Sequence, residues 1–418
     1  MKISLNISEK KNCDVLVVGG GTAGVFAAIA AARNGAKTLL VEKNSILGGT
    51  MTVANVNFPG LFFAWGNQII AGPCWEAIER TVALGGAVLP KISFRPEKHY
   101  HEQIRVNRFV YTAVLFEMCK EVGVEVLTNA MLSAVDETEE KVCAVVTTKT
   151  GLKKIEAKIV VDATGDANVV AMAGYPVEKS IVQQPATLQN HLSGYDYQEV
   201  SREDVEKALK QAGLPEHITA DSLMHDLLRN KFDVHIPCTD ADTSEGKTQV
   251  EQQAYELLLK LYCLCRNIPK LENLVIDYVA EETGIRESNR IVGEEQILAE
   301  DYIVGKMYQD AVCYAFYPID RHVMNGIEQK FHDEYVVSKV PYGALLPKNT
   351  KRTICCGRCI SSDTYANSGV RVEAVCMATG QVAGCAAAIA VKTNDVLKNV
   401  TIKELCKRLE MIGAVVPK

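Results

Sequence analysis

The strongest constraint on the fold of this chain is the stretch from Asp14 to Thr50, DVLVVGGGTAGVFAAIAAARNGAKTLLVEKNSILGGT. It reads as a βαβ unit: an apolar strand over Val15 to Val18, a glycine turn, an alanine-rich helix from Thr22 to Asn34, and a second strand from Thr38 to Val41 that closes on Glu42. The glycines fall as Gly19-x-Gly21-x-x-Gly24. The first allows the tight turn, the second lets backbone N–H groups approach a pyrophosphate, and the third lets helix and strand pack closely. Glu42 stands where a carboxylate accepts the hydroxyls of an unphosphorylated adenosine ribose. The alternative is an ordinary glycine turn, but strand, helix, second strand and acid all fall in the register that a dinucleotide site requires. Spacing alone leaves NAD and FAD open.

A chain of 418 residues can hold about two domains. Its net charge of −6, with lysines and arginines scattered, gives no basic footprint for nucleic acid. The opening MKISLNISEKKN is polar and carries no secretion signal. The most apolar windows, near 13–32 and 370–391, are interrupted by glycine, threonine, arginine or glutamate, so no membrane span is expected. Fourteen irregularly spaced cysteines in so long a chain suit reduced thiols and a cytoplasmic location better than a disulfide framework.

Beyond the opening unit, the glycine-, asparagine- and aromatic-rich segment 51–75 reads as a loop, either packed on the sheet or passing beside a bound ring. Helical spacing is expected over Pro73 to Leu84 and over 105–121, followed by a strand at Val124 to Leu127. Three alternating segments, Met131 to Val135, Val142 to Thr148 and Lys153 to Ala157, predict an antiparallel meander. KIVVDATG, Lys158 to Gly165, reads as a buried strand ending in a small-residue turn, with Asp166 next in line to cap a helix. From 176 to 339 the chain turns more polar, and helices are expected at Arg202 to Gln211, Val250 to Arg266 and Ile291 to Tyr302. This stretch reads as a second domain inserted into a first made of 1–175 and 340–418. The first resumes with a strand at Arg352 to Cys356 and a long helix from Arg371 to Val391.

Taken together, Gly19 to Gly24, Glu42, Leu47-Gly48-Gly49-Thr50, DATGDA at Asp162 to Ala167 and GRCIS at Gly357 to Ser361 carry a family resemblance. The chain resembles the FAD-dependent oxidoreductases of the FAD_oxidored group, relatives of the fumarate reductase and succinate dehydrogenase flavoproteins. The likeness continues through ETGIRESNRIVGE (Glu282 to Glu294), YPIDRH (Tyr317 to His322), VPYGALLPK (Val340 to Lys348) and SGVRVEAVCMATGQVAGCAAA (Ser368 to Ala388), and is weakest between about 180 and 275. It implies an α/β fold: an FAD-binding, Rossmann-like domain of glutathione-reductase type with a β-meander and an inserted α+β substrate domain. It implies FAD held by Gly19, Gly21, Thr22, Ala23 and Gly24, by Glu42 and Lys43, and by Gly48, Gly49 and Thr50. Leu132 and the turn Ala163, Thr164, Gly165 and Asp166 would join them. Gly357 and Arg358 would meet the ribityl and pyrophosphate side, and Gly369, Val370 and Arg371 would open a helix aimed at the flavin pyrimidine. A helix N-terminus there would stabilise the negative charge of reduced flavin.

Candidate chemistry lies in the insert. Arg286 and Arg290 stand at i and i+4, so a helix or a strand would aim both one way. Paired guanidinium groups suit a carboxylate-bearing substrate, while salt bridges to neighbouring glutamates are the plainer role. His322, with Asp320 to orient it and Tyr317 nearby, is the candidate proton carrier, against the role of an ordinary core or surface histidine. Cys356-x-x-Cys359 is formally a redox spacing, yet Cys356 ends a strand and not a helix N-terminus. The function expected is hydride transfer between a small organic substrate and flavin N5, with an unidentified electron donor or acceptor. A homo-oligomer is compatible, and no metal site is expected. The alternatives are a flavin-binding subunit or sensor without chemistry of its own, and a thiol-disulfide flavoenzyme using Cys356 and Cys359.

Overall fold

The structure is a computed structural model that describes residues 7–94, 98–210, 213–324 and 326–418. Its centre is a seven-stranded sheet. Five strands run parallel, in the order Glu125–Leu127, Thr38–Val41, Ile7–Val18, Gly151–Asp162, Thr353–Cys355. The strand Gly151–Asp162 also pairs antiparallel with Val142–Thr148, which pairs with Met131–Glu137. The expected strands at 153–157 and 158–162 are therefore one. Its first half lies against the meander, and its last residues change partner to Thr353–Cys355.

The strand Ile7–Val18 is apolar at its end because both faces are covered. Val15 and Val17 point into the cluster that holds the helix Thr22–Arg33, whereas Leu16 and Val18 point into a second cluster with Leu132, Val142, Ala144 and Ile155 of the meander. On the helical side, Thr22–Arg33 is crossed by the long helix Glu373–Thr393. The two backbones touch: a Cβ on Gly380 would stand 2.1 Å from the Ala23 carbonyl oxygen, and one on Gly384 would stand 2.1 Å from that of Ala27. That long helix is apolar and long enough to cross a membrane, but 94% of its apolar window is buried inside the protein.

A separate apolar cluster gathers residues from Ala186 to Ala280, built on the helix Ser244–Cys265 and on two short antiparallel strand pairs. Ile297, Tyr302, Val312, Ile319 and Val340 instead pack into the main cluster.

Three expected elements differ. Ile291 to Tyr302 is not a helix: Arg290–Ile291 pairs with Val177–Glu178, isolated bridges take Gly293 and Ile297, and only Ala299–Val304 is helical. Its helix-like spacing reflects burial by tertiary pairing. The helix expected from Arg371 to Val391 runs from Glu373 to Thr393: Arg371 still closes a separate short helix, Thr364–Val370, and extended Val372 divides the two where the Ala374 N–H is taken by the Pro59 carbonyl. Asp166 does not cap the next helix. Asp162 does, accepting from Val169 N at 2.9 Å and Val170 N at 3.2 Å. Elsewhere Ser244–Cys265 begins earlier than expected at a Thr243 cap, and Arg202–Leu209 is helical, with Gln211 outside the described residues.

Because Gly384 meets backbone and not a movable side chain, Gly384→Ala should destabilise the fold by about 1 to 3 kcal/mol, the usual range for overpacking a filled interior. A denaturant midpoint at or above that of the parent would contradict this crossing.

Candidate active site

The C-terminal ends of the parallel strands open onto a cavity of about 1700 Å³. Strand ends at a sheet's carboxyl edge are where open α/β sheets bind ligands. One arm is lined by Gly19, Gly21, Thr22, Ala23, Glu42, Lys43, Gly49 and Thr50, with Leu132, Ala163, Thr164, Gly165 and Asp166 beside them, and Gly357, Arg358 and Arg371 along its course. Gly24 and Gly48 are not on the wall. A Cβ on Gly24 would stand 1.8 Å from the Gly19 carbonyl oxygen, so its role is the close packing of turn and helix. Gly21 is different. The nearest atom to a Cβ there would be Gly49 Cα at 3.8 Å, so nothing in the protein needs that position bare. The side chain is missing where the cavity is, which is the cradle a pyrophosphate requires.

Glu42 ends this arm, 6% exposed, accepting from Gly20 N at 2.6 Å and Asn44 N at 2.8 Å. Burial raises its carboxyl above the usual range and these two N–H groups hold it back. Lys43 pairs with Glu282 at 3.0 Å. Asp166 is held by Arg358, whose Nε donates to the Gly165 carbonyl at 2.9 Å and whose Nη1 donates to that of Ile285. Ser288 also donates to Asp166, so Arg358 and Asp166 lace the strand-end turn to the segment carrying Arg286.

Gly369 and Val370 do not face the cavity. They close the short helix, with Gly369 against the Tyr302 ring, and the wall is instead made by Arg371, Val372, Glu373 and Cys376. Glu373, in the first turn of the long helix, was not signalled by the sequence; desolvation pushes its carboxyl up to about 7, against its own backbone N–H and the Arg371 and Arg358 charges.

Arg286 and Arg290 part company because residues 286–289 are neither helix nor strand. Arg290 is buried in the wall between segments, donating to Ser362 O at 2.9 Å and Ser180 Oγ at 3.2 Å. Arg286 lines the cavity and donates to Thr187 Oγ1 at 2.7 Å and to the Pro185 carbonyl. Among the described residues no carboxylate lies within ion-pair distance of Arg286 or Arg371, and Arg371 Nε is buried without a partner. Desolvation, together with the Arg371 charge, pushes the Arg286 guanidinium well below its ordinary value.

His322 lies on the same wall, its Nε2 3.3 Å from Asp320 Oδ2 and its ring stacked on His235 at 6.0 Å between centroids. Burial lowers the imidazole despite Asp320. Burial alone would raise the Asp320 carboxyl; hydrogen bonds from His322 and from Gln329 at 2.7 Å reverse this. The Tyr317 hydroxyl accepts from Gln103 Nε2 at 3.1 Å and is held protonated by burial. Cys356 touches the cavity, Cys359 does not, and burial pushes the Cys356 thiol far up, the opposite of an activated thiolate.

The parallel sheet, the bare position at Gly21 and the acid at its far end define a dinucleotide-binding protein. Residues 14–409 match the family described as FAD dependent oxidoreductase, and the chain belongs to that family. It is 28% identical over 168 residues to a thiamine thiazole synthase from Methanococcus vannielii, covering 38% of this chain and 58% of that one. Over 48 residues it is 50% identical to the mitochondrial dihydrolipoyl dehydrogenase of Caenorhabditis elegans, 12% of this chain and 10% of that one. The chain thus spans little more than half of the first relative and a tenth of the second. A geranylgeranyl bacteriochlorophyll reductase-like structure from Thermoplasma acidophilum superposes with a TM-score of 0.46 at 16% identity, over 96% of this chain and 83% of that one.

Gly21→Val should fold as the parent does and lose FAD, because its side chain enters only the cavity. Gly24→Ala should lose stability first. Flavin absorbance per mole of protein, measured beside far-UV circular dichroism, separates the two; a yellow Gly21→Val protein would remove the pyrophosphate from this turn.

Proposed function

We propose that the enzyme exchanges a hydride with a small organic substrate that bears a carboxylate, and that the expected insert, 176–339, supplies its binding side. The observation that carries this reading is the pair Arg286 and Arg371: two guanidinium groups on one cavity wall without an acidic partner among the described residues. A buried cation left uncompensated is costly, and an anion that enters beside it relieves that cost. When bound, FAD supplies a hydride acceptor or donor at N5, and a second electron donor or acceptor returns it to its starting state.

The protein's own part is positioning and proton handling. Arg286 and Arg371 fix the carboxylate end. In neutral His322, Nε2–H faces Asp320 and Nδ1 remains the proton-accepting nitrogen, taking the proton as the substrate is oxidised and returning it in reverse. Asp320 holds the ring's tautomer and stabilises its charged form. Tyr317, kept protonated, donates a hydrogen bond toward the cavity while accepting from Gln103. The kinship with fumarate reductase and succinate dehydrogenase flavoproteins belongs to the same proposal, supported by the segments at 282–294 and 368–388. So does a cytoplasmic setting, supported by 14 cysteines that are all free.

His322→Ala should retain FAD while substrate-driven flavin reduction, followed by anaerobic stopped flow, slows by about 10² to 10⁴. Because burial lowers the His322 pKa, the imidazole is neutral at pH 7. The parent's reduction rate should rise as pH climbs through a value below about 6.5 and then level off. A variant with the parent's rate and pH profile would take His322 out of the reaction. Cys356→Ser should leave reduction within a few-fold of the parent, and its loss would revive a thiol mechanism.

A further inference from the structure

Resting on the carboxylate reading above, we propose that the cavity has a second, aromatic-walled chamber that seats the ring of the substrate, which makes the substrate class a planar aromatic carboxylate. The cavity's size asks for a second occupant. Pockets for one small ligand or cofactor run about 300 to 1,000 Å³, and this one is about 1700 Å³.

The same cavity wall carries a group of aromatic rings drawn from separate segments. Trp65 meets Phe316 at 5.5 Å and 62°, and Phe316 meets His332 at 5.3 Å. Tyr317 meets His99 edge to face at 5.2 Å and 87°. All five line the cavity. Rings presented at such angles favour a flat guest that can stack or insert its edge, which an aliphatic chain of equal area does not exploit.

Trp65 supplies an independent sign. It and Gly66 form the two-residue turn of the hairpin Phe63–Ala64/Asn67–Gln68, with φ of 50° and 74°. Asparagine, aspartate or glycine is preferred at the first of these positions, and a bulky residue there is strained. The turn keeps an indole where its backbone is least at ease, fixed by a hydrogen bond from Nε1 to the Val336 carbonyl at 2.9 Å. Strain held in this way at a cavity wall points to a use for the side chain. Arg286, Arg371, Asp320 and His322 line the same cavity, so a ring seated against these aromatics would turn its carboxylate toward two guanidinium groups that have no ion-pair partner among the described residues.

The test uses the FAD-loaded enzyme titrated with 2-naphthoate and with cyclohexanecarboxylate, following the flavin spectrum and tryptophan fluorescence. The expected result is at least tenfold tighter binding of 2-naphthoate, with quenching of Trp65 fluorescence against Trp75 as the other tryptophan. Phe316→Leu and Trp65→Leu should each erase that preference with FAD content unchanged, the first serving if the second fails to fold. Equal affinity for the two acids would overturn the aromatic chamber and leave the carboxylate reading standing. Binding of neither acid would overturn both. Release of FAD by 2-naphthoate would show that these rings seat the cofactor itself, and would also overturn the chamber.

Discussion

Everything at the cavity depends on backbone meeting backbone without an intervening carbon. The glycine turn lies so close to its helix at Gly24, and that helix so close to Glu373–Thr393 at Gly380 and Gly384, that one methyl group at any of these points would collide with a carbonyl oxygen. Dense interiors cannot absorb such an intrusion by small adjustments. The contacts bring the two ends of the chain together over the sheet, and that places Arg371 and Glu373, late in the sequence, opposite Gly21 and Thr22, early in it.

The dinucleotide arm was legible because its chemistry is written locally. Turn, helix, strand and acid lie within one continuous stretch, and the spacing of Gly19, Gly21, Gly24 and Glu42 maps directly onto geometry. The wall that carries Arg286 and His322 was far less so. Arg286 and Arg290 look paired under any regular periodicity, but the segment between them is irregular and the pair diverges. The last helix starts at Glu373 and not at Arg371, because its start is set by a contact with Pro59 that no local pattern encodes. The cap expected of Asp166 is made by Asp162 for a similar reason: the one that caps is decided by where the strand ends, and Asp166 is claimed by Arg358.

Electrostatics divides the cavity into two regimes. Near Glu42 a buried carboxylate is met by backbone N–H groups, so its charge is satisfied by the fold alone. Around Arg286, Arg371 and His322 the fold leaves cations and a neutral base facing one another, with Asp320 as the local acid. A site of the first kind is complete before any ligand arrives, and one of the second kind is completed by the ligand.

The strand Thr353–Cys355 pairs only with the end of Gly151–Asp162, and it leads directly into Gly357 and Arg358. During synthesis the N-terminal unit emerges first, but the floor of its cavity is missing until this late strand docks. Pairing over so long a separation is slow, since the loop must close before its contacts repay the lost entropy. From the synthesis of Asp162 until that of Thr353 the nascent chain therefore carries an open edge at Val160–Asp162. A ligand that binds only the finished cavity draws the chain toward the folded state by mass action.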